Sequence, residues 1–208
     1  MVSRTATLVM ALAGGLNPVT LGMAAPAAWH AGTVGWVDQV LSAEAPRMDE
    51  EMRLMVAAVV VEESRLHDLD PALVLAMMKV ESRFDSKACS PKGARGLMQV
   101  MPHVARSMTD GKATHETLYD PATNIRLGTR LLKALIKQHR GNVPRALAAY
   151  NMGSTRVYAL MRSEIAPEND LEWRYTRQVL RTMRTMKQEH ALPLLAANAT
   201  AAPQGVAD

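Results

Sequence analysis

Apolar positions recur with a helical period through most of the chain. From Met48 to Leu66, the residues Leu54, Met55, Ala58, Val59 and Glu62 fall at the i, i+3, i+4 spacing of one helix face. Asp70-Pro71 then gives a helix start: a carboxylate at the N-cap, and proline at the first helical position, where no backbone donor is lost. The segment it opens, PALVLAMMKVESRF, is apolar almost all round. It is predicted to be a buried central helix ending between Glu81 and Phe84. The following DSKACSPKGARGLMQVMP carries Pro91, Gly93, Gly96 and Pro102 and reads as a loop.

Asp120-Pro121 repeats the start signal. The helix to about Gln138 sets Ile125, Gly128, Leu132, Leu135 and Ile136 on one face and Arg126, Arg130, Lys133 and Lys137 on the other. Gly141-Asn142 closes it and opens a helix through Ala146 to Tyr150. Another is expected from Ser154 to Ser163, and a last one from near Asp170 to Glu189. In that last helix Tyr175, Val179, Met183 and Met186 form an apolar stripe opposite Arg174, Arg177, Arg181 and Arg184. No segment alternates convincingly as a strand and no internal repeat is found. The expected class is all-α, several short helices around a buried central one, with a minimal β-hairpin allowed in the Gly-rich loop.

The ends differ from this body. Residues 1–27 combine one early charge, Arg4, an apolar run from Ala6 to Leu16, and Ala25-Pro26-Ala27, a small-x-small cleavage pattern. They read as a secretory signal peptide, with 28–46 as a linker, 47–190 as the folded domain, and 191–208 as a flexible Ala/Pro-rich tail. The run is too short to span a bilayer, and no later stretch is long enough. Export to the periplasm or cell envelope follows.

Composition narrows the chemistry. With 48% apolar and 21% charged residues, the chain can bury a core. A single cysteine, Cys89, excludes an internal disulfide and multi-thiolate metal clusters; a buried, inert thiol is expected. The six histidines show no metal-ligand spacing, and His103, His115 and His139 are expected at the surface. No metal or cofactor is expected. The net charge of +4 suits an anionic partner without identifying one. Basic residues lack interleaved aromatics, which argues against nucleic acid.

Glu81 is out of place. It follows LVLAMMKV on the helix that must be buried, and a buried carboxylate tends to take up a proton. A neutral acid at neutral pH is what protonation of a glycosidic oxygen requires. The alternative is a carboxylate exposed at the helix end, or paired with Lys79 or Arg83.

The stretch ESRFDSKACSPKGARGLMQVMP resembles the signature of the soluble-type lytic transglycosylases, which share the goose-type lysozyme fold. The matching elements are Glu81-Ser82, Phe84, Ser90, Gly93-Ala94, Gly96-Leu97-Met98-Gln99 and Met101-Pro102. LYDPATNIRLGTRLLKALI is similar to the family's DP..NI..G..YL helix, ALAAYNMGSTRV to its ALAAYNAG..V segment, and EWRYTRQV to its E.R.YV segment. The blocks fall in the family's order over about Leu66 to Val179. Asp85-Ser86 stands in place of Asn-Pro, and Leu131, Met152 and Thr176 also depart from the pattern.

The resemblance implies a lysozyme-like domain acting on peptidoglycan glycan strands. It would cleave the β-1,4 bond from N-acetylmuramic acid to N-acetylglucosamine and close a 1,6-anhydro ring, with Glu81 as the single acid and base. It further implies Ser90 and Gln99 at sugar hydroxyl or acetamido groups, Met101 as an apolar wall, Tyr150 and Asn151 beside Glu81, and the Tyr175 hydroxyl towards the Glu81 carboxyl. Ser82 is read as structural. Asp85 is read as a capping or surface residue. A second catalytic carboxylate would have to lie within about 5–9.5 Å of the first. A hydrolytic muramidase and a non-catalytic wall-binding or secretion scaffold are the alternatives. A small stand-alone domain with a signal peptide, expected as a monomer, resembles enzymes that open the wall for secretion, conjugation or flagellar assembly, whose machinery would then be a partner.

Overall fold

The computed structural model describes residues 27–162 and 173–190, with side chains from residue 32. Residues 1–26 of the segment read as a signal peptide, Ser163, the run-up to the last helix and residues 191–208 lie outside the described residues. Among the described residues eight α-helices follow in order: α1 (Ala27–Glu44), α2 (Glu50–His67), α3 (Pro71–Ser82), α4 (Pro102–Met108), α5 (Pro121–Gln138), α6 (Val143–Met152), α7 (Ser154–Arg162) and α8 (Arg174–Glu189). A 3-10 turn, Thr117–Tyr119, precedes α5. The described residues contain no strand. The hairpin allowed in the loop shrinks to two isolated antiparallel bridges, Cys89 with Arg95 and Arg95 with Val100.

The helix starts come from side chains that accept the first free backbone N–H groups. Asp49 accepts from Met52 N at 2.9 Å, Asp70 from Ala72 N at 2.9 Å, Asp120 from Thr123 N at 2.7 Å and Asn142 from Arg145 N at 3.0 Å. Pro71, Pro121 and Pro144 occupy the first turns. Two of the stops are left-handed residues, Asp68 at φ 50° and Arg83 at φ 53°. Arg83 matters most, because it turns the chain out of its helix two residues after Glu81.

Helix α3 is the central one. Ala72 through Met78 are all buried, and the helix packs on α8, α2 and α1. Helix α2 lies between α1 and α5, while α6 joins α5, α7 and α8. One large apolar cluster unites α1, α2, α3, α5, the Gly-rich loop and α8. A smaller one holds Leu135, Ala146, Ala148, Ala149, Val157 and Trp173 together under α6 and α7.

Four expectations need correction. The 28–46 segment is not a linker: α1 occupies it and buries Trp36, Val37, Val40 and Leu41. In α2 the buried face is Val56, Ala57, Val59, Val60 and Val61, while Glu62 is exposed, because contacts from both α1 and α5 widen the covered arc. His139 is buried, its ring 5.1 Å from that of Tyr158 and Nε2 3.4 Å from Ser154 Oγ. Cys89 is exposed, since its short bridge to Arg95 turns the side chain outward. No element was predicted over helix α4 beyond Pro102. The helix is short, and Met101 at its N-cap makes no side-chain cap bond, so Pro102 is its main sequence signal.

Candidate active site

Glu81 sits in the last turn of α3, partly buried. Its two sequence neighbours of opposite charge are engaged or exposed elsewhere. Lys79 Nζ is 2.6 Å from Glu44 Oε2, and Arg83 points to solvent. The partner of Glu81 comes from α8, where the Tyr175 hydroxyl donates to Glu81 Oε1 at 2.6 Å. Burial raises the Glu81 pKa from 4.5 to about 7, against the opposing pull of the Tyr175 hydrogen bond, which favours the carboxylate. Desolvation is the larger effect. The group therefore changes protonation near neutral pH, and either form is accessible there.

Tyr150, near the end of α6, completes the surroundings. Its hydroxyl donates to Met98 O at 2.9 Å. Burial, and then the charge of Glu81, push its pKa well above 10, and Tyr175 is raised by the same two causes together with its bond to Glu81. Both phenols thus stay protonated and serve as donors. Three elements distant in sequence, α3, α6 and α8, bring Glu81, Tyr150 and Tyr175 together.

The loop from Ala88 to Val100 is pinned beside this group. Ser82 Oγ donates to Leu97 O at 2.8 Å and to Met78 O at 3.1 Å, fixing the loop to the end of α3 as its structural reading requires. Asn124 Oδ1 accepts from Met98 N at 2.7 Å, and its Nδ2 donates to Arg95 O and Leu118 O, each at 2.8 Å. Gly96, at φ 75°, is required twice over: a Cβ there would overlap the Leu118 carbonyl and the Asn124 amide.

The remaining expected site residues fall as follows. Ser90 Oγ accepts from Ala94 N at 3.0 Å, which closes a turn. Gln99, itself left-handed at φ 48°, donates from Nε2 to Gly96 O at 2.9 Å and to Ala88 O at 3.1 Å, so its amide nitrogen braces the loop. Met101 is partly buried at the N-cap of α4. Asn151 is exposed and makes no side-chain hydrogen bond among the described residues. Asp85 is exposed and accepts from Lys87 N at 2.8 Å, a loop cap as expected. Asn124 is the residue that single-site reading passed over. Its signal was an amide one position before Ile125 on a face otherwise apolar.

Away from this group, Glu44, Glu189 and His190 bring ligand atoms within 4.8 Å of one another. The Lys79 ammonium, 2.6 Å from Glu44, already supplies the positive charge at that cluster.

At the centre of this all-helical fold is a partly buried glutamate with a pKa raised to about 7 and bonded by a phenol. Residues 58–171, more than half of the chain, match the family described as the transglycosylase SLT domain, and the chain belongs to that family. A curated relative, the soluble lytic murein transglycosylase of Salmonella typhimurium, is 37% identical over 100 residues, which cover 45% of this chain and 15% of that protein. Among solved structures, the lytic transglycosylase Slt of Pseudomonas aeruginosa, in an inactive Glu-to-Gln mutant form, superposes with a TM-score of 0.58 at 31% identity, covering 64% of this chain and 24% of that one. The 70 kDa soluble lytic transglycosylase of Escherichia coli matches in fold, with a TM-score of 0.56 at 24% identity over 81% of this chain and 31% of that one. The chain spans less than a third of the length of these relatives.

Proposed function

We propose that this protein is a peptidoglycan lytic transglycosylase with Glu81 as its single general acid and base. The observation that carries the reading is the Glu81 carboxyl itself, partly buried, titrating at about 7 and hydrogen-bonded by Tyr175 at 2.6 Å. Family membership supplies the substrate class.

In the first step, protonated Glu81 gives its proton to the glycosidic oxygen as the bond from N-acetylmuramic acid to N-acetylglucosamine breaks. In the second, the Glu81 carboxylate takes the proton from the C6 hydroxyl of the muramic residue. That oxygen bonds to the anomeric carbon and closes the 1,6-anhydro ring, so the proton count returns to its start. A pKa near the working pH serves both halves, since neither form is costly to reach. Tyr175 favours the carboxylate half by donating to it. Single-carboxylate chemistry is supported by Asp85, which caps its own loop at the surface. In the same reading Ser90, Gln99, Met101, Tyr150 and Asn151 line the saccharide path. In this reading the protein acts in the envelope after export, as a monomer, and serves wall turnover or wall opening for secretion, conjugation or flagellar assembly.

Mass spectrometry of muropeptides released from purified sacculi tests the reaction. Products lighter by one water than hydrolysed counterparts are expected, and Glu81→Gln is expected to release none. Reducing ends would instead establish a hydrolytic muramidase. Binding without release by the folded wild-type protein would establish a scaffold.

A further inference from the structure

We propose that Asn124 is a positioning residue for the Glu81 site: from a helix that carries no site residue, it fixes the Met98 backbone whose carbonyl holds the Tyr150 hydroxyl beside the Glu81 group. The proposal rests on the reading of Glu81 as the proton-transfer group.

Asn124 lies in the first turns of α5 and is completely buried. All three of its side-chain hydrogen bonds go to backbone outside its own helix. Two of them grip the loop at both ends of its tightest turn, at Arg95 O and Met98 N. The third, to Leu118 O, ties that turn to the chain leading into α5. The site demands an amide. It needs one acceptor and two donors at a fixed depth, and aspartate would set its oxygens against two carbonyl groups. Serine lacks the reach, and the van der Waals overlap that a Gly96 Cβ would make with this same amide shows that no added atom fits.

Met98 is where the grip reaches the site. Its N–H is held by Asn124 and its carbonyl receives the Tyr150 hydroxyl, so both bonds fall on one residue. Its side chain is fully buried and lies on Gly128, one turn after Asn124 on the same helix face, where a Cβ would come within 2.8 Å of Met98 Cβ. Met98 is thus located from below by Gly128, from one side by Asn124 and from the other by Tyr150. A Met98 carbonyl that moves leaves the Tyr150 hydroxyl without its acceptor, so the ring must follow. The buried Tyr150 phenol is close enough to Glu81 for the carboxylate charge to act on it, and the same loop is bonded at Leu97 O to Ser82, the residue next to Glu81.

The titratable groups facing Glu81 from neighbouring elements are Tyr150 and Tyr175, while on its own helix Lys79 is paired with Glu44. Loosening the Met98 turn removes shielding without adding a charge. The expected result is a Glu81 pKa lower than its value of about 7.

The full-length chain carrying Asn124→Ala tests this. The primary readout is the carbon-13 NMR titration of the Glu81 carboxyl, assigned by its loss in Glu81→Gln. It does not require turnover. A midpoint lower by about one pH unit is expected. On sacculi, kcat is expected to fall about tenfold or more with KM changed less than about threefold, because placement is lost and sugar contacts are kept. Thr129→Val is the control: it breaks buried hydrogen bonds of the same helix to Glu63 and its own backbone, away from the loop. It is expected to lower stability and leave the Glu81 midpoint in place. If Asn124→Ala does not fold, Gly128→Ala displaces the same Met98 from the other side and must show the same lowered midpoint. A folded variant whose Glu81 midpoint equals that of the wild type overturns the proposal. A lowered midpoint in Asn124→Ala, together with a folded wild-type chain that releases no muropeptide, supports the positioning role and overturns the catalytic reading instead.

Discussion

Glu81 stores a pH dependence in the fold. Its folded pKa of about 7 lies above the ordinary 4.5, so the folded chain holds the proton more tightly than the unfolded one. The resulting stabilisation is complete below about 4.5 and is lost as pH rises through about 7. The displacement corresponds to about 3 kcal/mol. Glu81→Gln has no such titration, and its amide can still accept from Tyr175. Its stability relative to wild type is therefore expected to rise by about 3 kcal/mol between about pH 4 and about pH 8. Urea unfolding at the two pH values checks this, and a constant difference would contradict the burial of the carboxyl. Glu81 was legible in sequence because a charge interrupts an apolar run that must be buried. Its hydrogen bond from Tyr175 was legible only through the family pattern, since 94 positions separate the two. Nothing in local sequence marked Gln99 as a loop brace. Its left-handed backbone and its amide bonds to Gly96 and Ala88 depend on how the turn closes.

At the level of elements, the caps were the clearest text. Asp70-Pro71 and Asp120-Pro121 each open a helix where read, because the cap bond is local and needs no tertiary partner. Helix α5 shows what local text leaves out. Its apolar face was legible, and Gly128 was placed on it, yet the reason for a glycine there is the Met98 side chain from the loop. In an exposed helix, Gly→Ala would gain about 1 kcal/mol from propensity. At 128 the added methyl meets Met98 Sδ and Cβ, and overpacking of a filled core costs about 1–3 kcal/mol. Gly128→Ala is thus expected to lower the melting temperature in spite of the better helix former. A rise in melting temperature would show that Met98 has room to retreat, and that the loop is held less firmly from below.

Across the whole molecule, the helices bearing Glu81 and Tyr175 are tied together at the ends remote from the carboxyl group. Lys187 of α8 pairs with Asp70, which also caps α3, and the Trp36 indole of α1 donates to the His190 carbonyl just past α8. Lys79 of α3 pairs with Glu44 of α1, and Arg53 of α2 pairs with Asp38 of α1 at 2.6 Å. Helix α1 is therefore part of the frame that sets the α3 to α8 distance. The pattern was present in sequence, with Trp36, Val37, Val40 and Leu41 at helical spacing, but the Ala-rich leader before it made the stretch read as a connection. Each of these side chains is essentially fully buried. Burying such a side chain contributes about 1.5–3 kcal/mol or more, against a total stability of about 5–15 kcal/mol for a typical domain. Removing α1 also exposes the apolar faces of α2 and α3 that it covers. A chain beginning at residue 47 is accordingly expected to lose cooperative unfolding and tertiary circular dichroism, whereas one beginning at residue 27 keeps both. Trp36→Ala is the graded form of the same test, with an expected cost of about 3–5 kcal/mol. If the chain from residue 47 unfolded at the same urea midpoint as the chain from 27, α1 would be an attachment to the domain rather than a wall of it.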